Sequence, residues 1–169
     1  MQRDTATSQI PVRLRDDADI AHGDGTLFQI RDVRLYRAAV QFEFTASVEP
    51  ATVEQLQLPL DRPIDLAGWL DERPQDVVVS VASDGELLPV VPMQGQWPPR
   101  QGHRSVLTID TKGHIDAGGA WTSVTYWVPC VPTRVLVFTA QSTALGLSGV
   151  LDMDATGWTE RLAEVRDRR

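Results

Sequence analysis

Three histidines, His22, His103 and His114, and the aspartates around them are the first residues of this chain to test for chemistry. Imidazole with carboxylate suits a divalent ion. Two segments hold that material: His22-Gly23-Asp24, and Asp110-Thr111-Lys112-Gly113-His114-Ile115-Asp116. Neither has the spacing of a metal site. There is no His-x-x-x-His, no cysteine pair and no calcium loop. Both read as solvated turns, and the sequence predicts no metal and no cofactor. Cys130, the only cysteine, stands in Pro129-Cys130-Val131-Pro132 with no neighbouring histidine. A reactive thiol needs an electropositive, accessible setting, so this one reads as buried and inert.

Other catalytic patterns fail on spacing. Gly146-Leu147-Ser148-Gly149 misses the Gly-x-Ser-x-Gly of a serine hydrolase and reads as a tight turn. Gly118-Gly119 lacks the lysine and serine or threonine of a phosphate loop. Asp152 and Asp154 precede a candidate helix, where negative charge is favoured for structural reasons. No residue is assigned a catalytic role.

The remaining functional signal is aromatic. Of five tryptophans, Trp127 and Trp158 lie in apolar periodic segments and read as core. Trp97 lies in Gln94-Gly95-Gln96-Trp97-Pro98-Pro99-Arg100, which has no periodicity. A tryptophan beside prolines and Arg100 has the composition of a protein-contact hot spot. Packing as a lid over one end of the fold is the competing structural reading. Trp97, Arg100, His103 and His114 are therefore the candidate binding residues.

The elements that must position them are strands. Val40 to Glu49 alternates apolar and polar residues without exception, the period of a strand with one buried face. Leu27 to Tyr36 shifts its apolar phase across Arg31-Asp32, which predicts a β-bulge or a break there. Asp84-Gly85 between β-branched runs is a hairpin signal, and Pro89 makes the second hairpin strand short or places it at an edge. Val106 to Ile109, Trp121 to Val128 and Val135 to Ala140 complete the strand list. Pro50 to Pro74 reads as an ordered connection with a short helix at Asp65 to Asp71. Trp158, Leu162 and Val165 mark one face of a C-terminal amphipathic helix, with Arg161, Arg166, Arg168 and Arg169 loading its latter half.

At 169 residues with a net charge of −7, one domain is the expectation, and the acidic surface disfavours nucleic acid. No run reaches the ~18–20 apolar residues of a membrane span, and Met1 to Asp19 lacks a signal-peptide core. We expect residues 1–24 to be a flexible N-terminal arm or edge strand. Residues 25–169 then form one mainly-β domain, an antiparallel β-sandwich of about seven or eight strands with a terminal helix.

From Trp121 onward a longer pattern emerges: Tyr126-Trp127-Val128-Pro129-Cys130-Val131-Pro132, a Val-Leu-Val-Phe strand, Leu145-Gly146-Leu147, Leu151-Asp152 and a final helix. This is similar to a group of uncharacterised soluble proteins of actinobacteria. The resemblance covers the last third of the chain and implies a fold and a compartment, with no chemistry attached. The expectation from residues and resemblance together is a cytoplasmic, non-enzymatic module that binds another protein, in the manner of an inhibitor or immunity protein. A small-ligand or hydrolytic protein using loop histidines and carboxylates is the alternative. A structural homo-oligomer joined through strand edges is the third reading.

Overall fold

The alternation in Val40 to Glu49 sorts its side chains between a core and an outer surface. In the computed structural model, which describes residues 9–55, 77–93, 104–116, 119–143 and 145–168, Phe42 and Phe44 are buried while Gln41, Glu43 and Thr45 keep contact with solvent. The chain is mainly β. Its strands are β1 (Gln9–Ile10), β2 (Val12–Gly23), β3 (Thr26–Tyr36), β4 (Ala39–Val48), β5 (Val78–Ser83), β6 (Glu86–Leu88), β7 (Val90–Pro92), β8 (Val106–Asp116), β9 (Gly119–Val128), β10 (Val135–Ser142), β11 (Leu147–Asp154) and β12 (Arg166–Asp167). One short helix, α1 (Pro50–Gln55), follows β4.

These strands form a six-stranded sheet in the order β2-β3-β4-β9-β8-β7, a four-stranded sheet β11-β10-β5-β6, and the pair β1-β12. All pairings are antiparallel except β7 with β8. The two larger sheets share one hydrophobic core. Phe42 of β4 stacks on Tyr126 of β9 at 5.0 Å, and its edge meets Phe138 of β10 at 4.5 Å. That second contact joins the sheets through rings whose burial is worth several kcal/mol each. At one side β11 also packs against β2, so closely that a Cβ at Gly149 would collide with the Ile20 carbonyl oxygen.

The twelve strands among the described residues exceed the seven or eight expected. Part of the excess is Pro89, which has no N–H for the ladder: β6 ends at Leu88 and the chain passes to the other sheet as β7. The segment read as a turn around His114 lengthens a strand without adding one. The strand expected to end at Ile109 runs on to Asp116, because β9 pairs with it from Asp110↔Thr125 to Asp116↔Gly119. A bulge between Thr108 and Asp110 resets the phase, and Lys112 pairs with Asp110 at 3.1 Å on one face. Val12–Gly23, within the expected arm, is a twelve-residue edge strand with two register shifts against β3.

The amphipathic helix expected at the C-terminus is realised as a single turn. Gly157 at φ 85° opens α2 (Trp158–Arg161), which continues as the 3-10 turn Leu162–Glu164. Val165 then turns extended, and Arg166–Asp167 pairs with Gln9–Ile10. Trp158 and Val165 are buried in the main core with Leu162 packed against it. The 3.6-residue spacing was a true signal of burial and overstated the length of helix. Arg166 and Arg168 accordingly lie beyond the helical turns. The expected helix at Asp65 to Asp71 lies outside the described residues. No helix among the described residues is long and apolar enough to cross a membrane.

Candidate functional site on the six-stranded sheet

One face of the six-stranded sheet covers the core; the other carries two depressions, one at the Thr26 and Val48 end of β3 and β4 and one beside the middle of both strands. The strand register builds the first. His22, Leu27, Ser47, Trp121 and His114 stand opposite one another across β2, β3, β4, β9 and β8 in a single row. At ~4.8 Å per strand, that row is about 19 Å long. A depression of about 380 Å³ opens on it, lined among others by His22, Leu27, Ser47, Glu49 and Trp121. Trp121 is 46% exposed, the one aromatic among the exposed large hydrophobic side chains of the described residues. Three glycines, Gly23, Gly25 and Gly119, shape the rim. Gly119, at φ 116°, has no room for a Cβ against the Val48 carbonyl oxygen.

The second depression, of about 510 Å³, is lined by Pro11, Arg13, Asp17, Arg31, Asp32, Arg34 and Glu43. Its centre is the β3 bulge that the phase shift at Arg31-Asp32 predicts: the β3–β4 register slips between Arg31 and Arg34. Asp32 takes φ 50° there, a left-handed conformation that a non-glycine residue adopts at a cost of ~1–2 kcal/mol. The strain swings its carboxylate between two arginines. Arg34 pairs with Oδ2, and Arg13 Nε lies 3.1 Å from Oδ1. That Oδ1 is buried and accepts no well-aligned hydrogen bond. The hydrogen bond to Asp32 holds the Arg34 guanidinium above its usual pKa. Arg31 bonds Asp17 at 3.2 Å. Between the depressions, Gln29 donates to Asp19 at 2.8 Å.

Beside Arg34, burial raises the Tyr36 phenol above its usual pKa. Tyr36 donates to Gln41 at 2.9 Å and packs on Trp127 at 4.8 Å. These rings belong to a second, smaller apolar cluster with Ala39 and Leu107. Trp127, expected as core, is thus buried in this cluster and Trp158 in the main one.

Of the residues proposed from sequence, Trp97, Arg100 and His103 lie outside the described residues. His114 is placed by its backbone on β8, opposite Trp121, in a strand where a solvated turn was expected. His22 likewise closes β2. Cys130, expected to be buried, is half-buried, with its Sγ 3.5 Å from Ser83 Oγ. Among the described residues no group of three or more His, Cys, Asp or Glu is placed to hold a metal ion. Trp121 was missed, although a signal was present: along β9 it falls in the phase of Ser123 and Thr125, opposite to Val124, Tyr126 and Val128. Trp127 shares that phase but is covered by Tyr36 and Leu107 in the smaller cluster, whereas Trp121 at the other end of β9 is left exposed.

No protein-family model matches the chain, and no curated protein matches it significantly. The functional reading therefore rests on the geometry of this face.

Proposed function

We propose that this chain is a non-enzymatic protein-interaction module of the cytoplasm. In this reading it is a single antiparallel β-sandwich domain that presents the outer face of its six-stranded sheet to another protein. The observation that carries the reading is the composition of that face: an exposed indole, Trp121, at one depression and Arg13, Arg31 and Arg34 at the other. Tryptophan and arginine are the residues most enriched in contact hot spots, because each combines broad apolar surface with directed donors. The distance suits the role. Glu43 and Ser47, which border the two depressions on β4, are four residues apart, about 13 Å, well within a standard interface. The Asp32 bulge, which keeps both halves of β3 facing the core, also sets the Asp32 carboxylate between Arg13 and Arg34 on this face.

Affinity capture from the cells that make the protein tests this, using the wild type, Trp121→Ala, Arg31→Ala and Leu87→Ser. Leu87 is exposed on the four-stranded sheet and serves as the control. Arg31 makes an exposed ion pair, so its loss costs only ~0–1 kcal/mol of stability. The proposal expects a partner retained by Leu87→Ser and lost from both other variants. A partner retained equally by all four proteins would refute it.

A further inference from the structure

We infer that the depression at Trp121 receives a cation, an arginine side chain of the partner protein, held between the indole face and the Glu49 carboxylate. The inference rests on the protein-binding reading above and names the chemistry of its contact. Trp121 is nearly half exposed, and among the described residues its indole has no ring partner and no hydrogen bond. Glu49 lies two residues beyond Ser47, and Ser47 is directly opposite Trp121. Glu49 follows directly on the end of β4, its N–H donating to the Gly25 carbonyl at 2.7 Å and its side chain beside Gly25, at the rim of the same depression.

Five acids of the described residues are already committed to the chain's own cations, whereas Glu49, like Glu43 at the other depression, is not. Asp17, Asp32, Asp110, Glu164 and Asp167 each hold an arginine or lysine of the chain itself. Among the described residues Glu49 has no such partner, yet it borders the depression. No lysine or arginine is among the residues lining that depression, and His22 is the other ionisable group there. A site with one carboxylate, one imidazole and an exposed indole repels anions and attracts cations. The chain's net charge of −7 draws a basic partner toward it from a distance.

The choice of arginine follows from shape. A planar guanidinium stacks on an indole face and still directs a fork of N–H donors at both oxygens of a carboxylate beside the ring. An ammonium is a point charge and satisfies one contact or the other. A volume of about 380 Å³ accepts such a side chain with room for water.

The test uses the full-length, 15N-labelled protein and the tripeptide N-acetyl-Gly-Arg-Gly-amide, with its neutral citrulline isostere and cellotriose as competing chemistries. The Trp121 indole N–H resonance is assigned by its loss in Trp121→Phe. The expected result is a saturable shift of that resonance with the arginine peptide. Affinity should fall at least ~5-fold for the citrulline peptide, which loses one exposed cation–π contact and one ion pair, and about 2–5-fold for Glu49→Gln, which loses the ion pair alone. No response to arginine, an equal response to citrulline or cellotriose, or undiminished binding by Glu49→Gln would each overturn the inference. Failure of the wider reading looks different. Partner capture that needs Trp121 but ignores Glu49→Gln removes the arginine and leaves the protein interface, whereas capture that ignores both residues removes the interface.

Discussion

Asp84 ties the β5–β6 hairpin to the segment entering β10, and its removal has a calculable cost. Asp84 and Gly85 take φ 51° and 93°, the type I′ turn that Asp-Gly specifies. The Asp84 carboxylate accepts from Thr133 N at 2.9 Å, Thr133 Oγ1 at 3.0 Å, Arg134 N at 2.8 Å and Val135 N at 3.0 Å. The backbone N–H of Thr133, then those of Val135 and Arg134, hold this carboxyl far below the usual carboxylate range. Such a bond to a buried charge contributes ~1.5–3 kcal/mol, but the site is at the surface, and water screens it and competes for the donors, so the whole set is worth about 2 kcal/mol. Asp84→Gly keeps the turn and removes the carboxylate, so it should destabilise by about 2 kcal/mol. Asp84→Ala adds left-handed strain and should cost about 3 kcal/mol. Asp84→Asn tolerates the turn and keeps one acceptor, at about 1 kcal/mol. The pH dependence has a fixed sign. A depressed folded pKa contributes stability above the unfolded value of ~3.9 and loses it as pH falls toward the folded value. Urea unfolding followed by tryptophan fluorescence should show the wild type separated from Asp84→Asn at pH 7 and converging with it toward pH 2. An Asp84→Gly protein as stable as the wild type, or a gap independent of pH, would refute the reasoning.

Two further predictions concern the core. Phe42→Ala removes a ring that touches Tyr126 and Phe138 and should cost ~3–5 kcal/mol, while Glu43→Ala on the other face stays within about 0.5 kcal/mol; urea midpoints distinguish them. Gly149→Ala drives a methyl into the Ile20 carbonyl and should cost at least ~1–3 kcal/mol, whereas Gly146→Ala, whose Cβ meets nothing within 4 Å, carries only the cost of its positive φ; thermal melts of the pair test the β11–β2 contact.

Local signals with a strict physical cause proved readable. The phase shift at Arg31-Asp32 marks the bulge that organises the arginine depression, because a period of two leaves no other way to keep both halves of β3 facing the core. Asp84-Gly85 fixes its turn because few residue pairs accept two positive φ values. The misreadings are places where distant chain decides. Asp110 to Asp116 has weak strand propensity and is held extended by its ladder with β9. Trp158, Leu162 and Val165 have helical spacing, yet pairing of Arg166–Asp167 with Gln9–Ile10 ends the helix after one turn and a 3-10 continuation. The Trp121 depression was illegible for the same reason. His22, Leu27, Ser47 and Trp121 come from four strands, with Glu49 just past the end of β4, and only sheet order and register make them neighbours.

Site-specific photocrosslinking tests the central claim most directly. A benzoylphenylalanine at Thr45 stands on the outer face of β4 between the two depressions, and one at Thr139 stands on β10 in the other sheet. Irradiation of cells that make the protein should give a discrete crosslinked partner from position 45, diminished by Trp121→Ala, and none from position 139. Crosslinking from position 139 alone, or from position 45 with no dependence on Trp121, would contradict the assignment of this face.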